Sequence, residues 1–374
     1  MPAIAVIISI LCAILIGAFL YLFLMRAFLF WFGGRVRIPL RYARIAIAAI
    51  SCCLAVFSLN LFSTAALVLL HIIVFALVME LVNLPVRLIS GKGKRNPVVW
   101  NKIYKSGLVP VLISALLISY GYWNINNVKE TYYTIYTDKM IPAEGYRVLL
   151  LADLHFGNAM DREKLKKACA QMNAENPDIV VLCGDIVDEN TTLAEMREAM
   201  GILGTIKNKF GIFYVFGNHD KAKYTKAPSY TEKDLRSAIQ ENGIVLLEDT
   251  SLEIGETLLL AGRKDRSGER LPVESIVGNA DKSRFLLMLD HQPAEYEEEH
   301  AAGVDLLLSG HTHAGQIWPV GILIEPLGFA DLCYGHMQSG PFQAIVTSGI
   351  SAWGYPVRTE GRSEFVVVDI RRNP

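Results

Sequence analysis

Hydrophobic positions along the chain change their pattern near residue 124. Before it they form long, nearly uncharged runs; after it they form short runs, each closed by a cluster of polar residues. Residues 3–25 are the first long run, and at about 1.5 Å per residue a helix of that length crosses a hydrocarbon core of roughly 30 Å. No Lys or Arg precedes it and no small-residue cleavage site follows, so it reads as a span and not as a secretory leader. The stretch from Ile45 to Leu84 would be about 60 Å long as one helix, twice the hydrocarbon core. It therefore predicts a hairpin of two spans, 45–62 and 64–84, turning near Ser58, Asn60 and Ser63. A fourth span is predicted at 107–123, where Tyr120, Tyr122 and Trp123 form an interfacial aromatic belt.

Residues 1–123 thus predict an all-α membrane domain of about four transmembrane helices. A polar connector, 124–145, leads into an α/β domain at 146–374. Strands are predicted at 147–152, 178–183, 212–216, 258–261, 285–289, 306–308, 344–347 and 365–370, with amphipathic helices at 161–176, 193–207 and 232–242.

Charge divides the chain at the same place. Residues 1–127 hold eleven Lys/Arg against one acidic residue, Glu80, a net +10, so the rest carries −11 of the overall −1. The basic residues sit in two short loops. Arg26, Arg35, Arg37, Arg41 and Arg44 occupy the first; Arg87, Lys92, Lys94, Arg95, Lys102 and Lys105 occupy the third. Such loops stay in the cytoplasm, which makes the protein a multi-pass cell-membrane protein with its α/β domain outside; an odd number of crossings would reverse that. Basic residues confined to interhelical loops leave no nucleic-acid-binding footprint. His71 and Glu80 are too few to mark a transport path. Cys169, Cys183 and Cys333 have no CxxC spacing, so neither a disulfide framework nor a thiolate zinc site is indicated.

The chemistry lies at the ends of the short strands. Asp153-Leu154-His155 closes the first, Gly184-Asp185-Ile186-Val187-Asp188 the second and Gly217-Asn218-His219-Asp220 the third; Asp290-His291 and Gly310-His311-Thr312-His313 close two later ones. Any one of these is an ordinary turn or cap. Five in succession point carboxylate, imidazole and amide groups toward one sheet edge, where open α/β sheets place ligands. The donors are oxygen and nitrogen without thiolate, a set that suits Mn, Fe or Zn better than Ca or Mg. There are enough of them for two divalent metal ions, and two ions about 3.5–4 Å apart can activate water as a hydroxide nucleophile.

These blocks, in this order over about Tyr146 to Ile370, resemble the calcineurin-like metallophosphoesterases. Gly310-His311-Thr312-His313-Ala314-Gly315-Gln316, Ser348-Gly349-Ile350 and Pro356-Val357-Arg358 are most similar to the membrane-associated, bacterial-type branch. The resemblance implies two mixed sheets sandwiched between helices. It implies one metal on Asp153, His155, Asp185 and His313, and a second on Asp185, Asn218, His291 and His311, with Asp185 bridging. It also implies that His219 protonates the leaving oxygen or stabilises its charge, and that Asp188 holds that imidazole. Glu189 departs from the phosphate-gripping Arg of the family's protein phosphatases, which argues against a phosphoprotein substrate.

Trp318, Trp353 and Tyr355 are placed in the core or along a lipid-binding groove, Arg358 against phosphate or in an ion pair, and His300 and His336 on the surface. The function expected is a membrane-anchored phosphoesterase acting on a phosphoester, with lipid-linked or envelope phosphoesters favoured by the tether. The alternative is a non-catalytic membrane receptor for phosphorylated ligands.

Overall fold

A computed structural model of the chain describes residues 2–60, 63–89 and 97–374, with side chains in the first helix described from Val6 onward. The chain divides after Tyr120 into two compact units.

The first unit is helical: α1 (Pro2–Phe32), α2 (Leu40–Ser58), α3 (Thr64–Ile89), the short amphipathic α4 (Val98–Ser106) and the start of α5 (Leu108–Ile125). Four of these helices, all but α4, are long and apolar enough to cross a membrane. Residues 61 and 62 of the expected hairpin turn, and Lys92, Lys94 and Arg95 of the third loop, lie outside the described residues. Small side chains let α1 and α2 approach closely. Ala43, Ile47, Ser51 and Ala55 recur every fourth residue on the buried face of α2, and a Cβ at Gly17 would sit 3.5 Å from that of Ala55. Glu80 pairs with Arg26 and accepts the Tyr104 hydroxyl at 2.5 Å, while His71 Nδ1 bonds the carbonyl of Leu67 in its own helix at 2.9 Å. Glu80 is thereby paired to α1 and α4, whereas His71 Nε2 is buried without a hydrogen-bond partner among the described residues.

The second unit holds twelve strands: β1 (Lys129–Thr137), β2 (Tyr146–Leu151), β3 (Ile179–Cys183), β4 (Gly211–Val215), β5 (Ile244–Leu246), β6 (Thr250–Ile254), β7 (Leu258–Gly262), β8 (Phe285–Leu289), β9 (Leu306–Ser309), β10 (Gly335–Ser339), β11 (Phe342–Val346) and β12 (Glu364–Arg372). They form two six-stranded mixed sheets, ordered β1-β12-β2-β3-β4-β5 and β10-β11-β9-β8-β7-β6. The helices α6 (Arg162–Ala174), α7 (Leu193–Leu203) and α8 (Glu232–Glu241) cover the outer face of the first sheet. The short α9 (Val273–Val277) and α10 (Tyr296–Ala301) cover the second. Another short helix, α11 (Gly321–Ile324), follows β9.

The period of two sorts each inner strand. Leu149 and Leu151 face the helices, while Val148 and Leu150 face Leu260, Leu287 and Leu308 in the core between the sheets. Thr192 and Glu195 start α7 as a capping box, and Thr231 and Asp234 do the same for α8.

The segment expected as a connector is different in kind. Within it, β1 pairs in parallel with β12 along its whole length, from Lys129 opposite Glu364 to Thr137 opposite Arg372. Its run Thr-Tyr-Tyr-Thr-Ile-Tyr is β-branched and aromatic, which suits a half-buried edge strand even without many aliphatic residues.

Candidate metal centre

Parallel β2, β3 and β4 of one sheet and β8 and β9 of the other end on the same side, so their loops converge between the sheets. Backbone bonds across the loops set the register: the amide of Asp153 donates to the Gly184 carbonyl, His155 to Asp185, and Gly310 to His291. Several residues in these loops sit in left-handed backbone, Asp153 at φ 55°, His155 at 42°, Asp185 at 53°, His311 at 73° and His313 at 52°. Non-glycine residues adopt that region at a cost that surrounding structure must offset, and such strain collects at functional sites. Crowding explains the glycines: a Cβ at Gly217 would lie 2.2 Å from Asp185 Oδ1.

Two groups of donors result. Asp153, His155 and His313 form one, Asp185, His291 and His311 the other, each with its ligand atoms within 4.8 Å of one another. Asp185 belongs to both neighbourhoods, its Oδ2 lying 3.2 Å from His291 Nε2 and 3.8 Å from His155 Nε2. Its Oδ1 accepts the His219 amide at 2.8 Å. His155 Nε2 and His313 Nε2 approach to 3.3 Å. His291 Nδ1 donates to the Cys183 carbonyl at 2.8 Å, which directs the Nε2 lone pair inward. That Nε2 and Asn218 Oδ1 are buried with no hydrogen-bond partner. Buried polar atoms are normally satisfied, so orphaned lone pairs in a carboxylate-lined cluster fit a divalent cation.

The charge states divide the candidate ligands: burial acts to lower His291, but the Asp185 carboxylate outweighs it and holds that imidazole well above its ordinary value, favouring a proton that a bound cation would have to displace. Burial pushes His311 down to about 4 and His313 well below its ordinary value, keeping both imidazoles neutral as ligation requires. Burial pushes Asp153 up to about 6. Burial also acts to raise Asp185, but His291 and His155 outweigh it and hold that carboxyl well below the usual range.

The structure brings six of the seven predicted ligands together in these two groups, carries Asn218 buried in the β4 loop next to His219, and places the His219 ring 5.5 Å from that of His155. It corrects the partner of His219. Asp188 Oδ2 instead meets His155 Nδ1 at 3.2 Å, and Glu189 Oε2 holds His219 Nδ1 at 2.9 Å. The cause is a tight turn: the Asp188 amide donates to Thr191 Oγ1 and its Oδ1 accepts the Asn190 amide, which turns Asp188 inward and leaves Glu189 to face the next loop. Asp188 therefore orients a candidate ligand, and Glu189, visible in the sequence only as a missing Arg, orients the candidate acid. Burial lowers the His219 pKa, but the Glu189 bond and the charges of Asp185, Glu189 and Asp188 together outweigh it, so the net shift is upward.

Asp220 is a residue to which the strand-end motifs assign no role. It is fully buried and its carboxylate gathers the amides of Asp185, Ile186, Val187 and Gly217 and the Tyr214 hydroxyl, tying the β3 and β4 loops together. Arg358 forms no ion pair among the described residues: it is buried and donates to the carbonyls of His313 and Ser351. Trp353 and Tyr224 flank His219 at 5.3 and 5.1 Å between ring centroids. His300 and His336 are exposed, as expected.

Residues 146–315 match the family profile of the calcineurin-like phosphoesterases. A transmembrane protein with metallophosphoesterase domain from Danio rerio is 27% identical over 76% of this chain and 67% of its own length. A metallophosphoesterase of Aquifex aeolicus is 29% identical over 70% of this chain and 98% of its own. Among solved structures, a dimetal phosphatase from Danio rerio aligns with 54% of this chain and 87% of its own at a TM-score of 0.34 and 13% identity.

Proposed function

Because the chain carries a calcineurin-like phosphoesterase domain and is on that ground a metal-dependent phosphoesterase, we propose that it hydrolyses phosphoesters at a membrane, using two divalent ions, Mn, Fe or Zn. The observation that carries the reading is the pair of converging donor groups with Asp185 between them. Asp153, His155, Asp185 and His313 would hold one ion, and Asp185, Asn218, His291 and His311 the other. Two such ions supply Lewis acidity toward phosphoryl oxygens and make water acidic enough to attack near neutral pH.

The chain's own groups complete the reaction. Glu189 fixes Nδ1 of His219 and favours the imidazolium, so Nε2 is the nitrogen that protonates the leaving oxygen or stabilises its charge. Tyr224 and Trp353 flank that imidazole and shape the side from which the leaving group departs. The four apolar helices support a membrane protein, and the positive loops support an external domain. Tethering through α5 makes a lipid-linked or envelope phosphoester the favoured substrate.

The test is hydrolysis of aryl phosphoesters by the metal-stripped and reconstituted full chain. His219→Ala is expected to retain its metals and lose roughly two to four orders of magnitude in rate, less for the better leaving groups. Wild-type rates in His219→Ala would overturn its role, and loss of metal would make it a ligand instead.

A further inference from the structure

Exposed large apolar side chains in the second unit are scattered except in one place. Val320, Ile322, Leu323, Leu327 and Phe329, between 46% and 70% exposed, fall within ten residues around α11. Isolated exposed apolar residues are ordinary, but a contiguous patch marks an interaction surface.

The backbone of this segment is closed on itself. The amides of Leu323, Leu327, Gly328 and Phe329 donate to carbonyls at 320, 323, 325 and 324, and Gly321 donates to Glu360. Glu325 is the one charged side chain in it; its Oε1 accepts the Cys333 amide at 2.7 Å, and with that carboxylate kept at the polar level the otherwise apolar segment can enter a lipid headgroup region. No Lys or Arg stands between Gly310 and Val357, so the segment itself offers anionic lipid no positive charge.

The position of the segment names the occupant. At its base, the Trp318 amide donates to Thr359 Oγ1 at 2.9 Å. Thr359 also meets the last turn of α5, where a Cβ at Gly121 would lie 2.8 Å from Thr359 Cγ2. Asn124 in that turn donates to the carbonyls of Arg358 and Gly361. The same turn carries Tyr122 and Trp123, whose exposed rings have the character of an interfacial belt. The apolar segment is thus rooted on the loop that receives the end of the fourth apolar helix. From the metal-centre side it begins seven residues after His313.

We infer that residues 320–329 form an interfacial element that inserts into the outer layer of a lipid bilayer and holds the mouth of the metal centre against it. This deepens the proposed function and rests on its membrane reading, because it implies an amphiphilic phosphoester whose headgroup is presented from the bilayer surface.

The experiment uses the full chain in phosphatidylcholine vesicles, with native cysteines replaced and an environment-sensitive fluorophore on Leu327→Cys. A control label is placed at Lys233→Cys, exposed on α8. Lipid bearing a nitroxide just below the headgroup is expected to quench the 327 label by about half or more and to leave the control unchanged. Equal quenching of the two, or a blue shift at 327 without quenching, overturns the inference, the latter by showing a second protein copy on the patch. Soluble bis(p-nitrophenyl) phosphate is assayed in parallel with Leu327→Ser/Phe329→Ser, whose rate should equal that of the parent. Hydrolysis without lipid quenching sinks the interfacial element and spares the enzyme; quenching without hydrolysis does the reverse.

Discussion

Replacing Asp220 by Asn isolates the contribution of one buried carboxylate to the loops that carry the metal donors. Its Oδ1 accepts from Ile186 N at 2.9 Å, Val187 N at 3.2 Å and Tyr214 Oη at 2.5 Å, while Oδ2 accepts from Asp185 N at 2.8 Å and Gly217 N at 2.6 Å. An asparagine keeps its oxygen on the three-donor side and turns its NH₂ toward two amides that have only donors to offer. Those two amides and the new NH₂ are left buried and unpaired at about 2 kcal/mol each, or about 6 kcal/mol together. Against this, burial has pushed Asp220 up to about 6. A shift of roughly two units means that ionisation costs about 3 kcal/mol, which a neutral amide avoids. The geometric loss wins by about 3 kcal/mol. For a unit of this size that lowers the thermal midpoint by about 10 °C. Thermal unfolding of the detergent-solubilised chain at neutral pH, with metal content measured in parallel, checks it. A midpoint within about 2 °C of the parent would show that relief of the buried charge cancels the lost bonds, and would refute the assignment of Asp220 as the tie between the β3 and β4 loops.

Other outcomes follow from particular contacts. Asp188→Asn is expected to weaken metal binding about 10- to 100-fold through His155, whereas Glu189→Gln should keep the metals and lose rate most with poor leaving groups; the reverse pattern would restore Asp188 as the partner of His219. Arg147 grips Asp369 with two bonds of 2.8 and 3.0 Å between β2 and β12 and holds its carboxyl below the ordinary value. That contribution, about 1 kcal/mol at a half-buried site, is therefore present above about pH 4 and lost as pH falls through the lowered pKa, so the stability gap to Asp369→Asn should close in acid and persist at neutral pH. In intact cells lacking the native cysteines, Asn126→Cys is expected to react with an impermeant thiol reagent and Ile38→Cys only after permeabilisation; opposite labelling would place the enzyme domain in the cytoplasm.

Periodicity carried most of the architecture. The inner strands β2, β3, β4, β8 and β9 are short continuous apolar runs because both of their faces are covered, and that pattern locates them within a residue or two. What periodicity missed lies at sheet edges, where one side of a strand meets solvent. β1 presents tyrosines and threonines, and β10, Gly-His-Met-Gln-Ser, has no apolar alternation; its place comes from antiparallel pairing with β11. The four long apolar helices were legible for a different reason, since the length a bilayer demands is one that soluble helices seldom reach without charge.

At the site, residue types and strand ends pointed to the donors, because a metal needs several lone pairs and parallel sheets present them on one edge. Partner assignments inside the site were not legible, and Asp188 and Glu189 show why. They are adjacent, both acidic, and both follow β3; which imidazole each meets depends on a turn closed by Thr191 and on the left-handed backbone at His155 and Asp185. A family resemblance transfers the identity of a residue more safely than its side-chain direction. Here that direction changes the chemistry: a carboxylate on His155 strengthens a metal donor, whereas a carboxylate on His219 sets the protonation of the acid. Glu189 therefore does more than stand where the resemblance leads one to expect an Arg. It supplies to His219 the hydrogen bond that Asp188 gives instead to His155, so the retention of an oriented imidazole rests on that one residue.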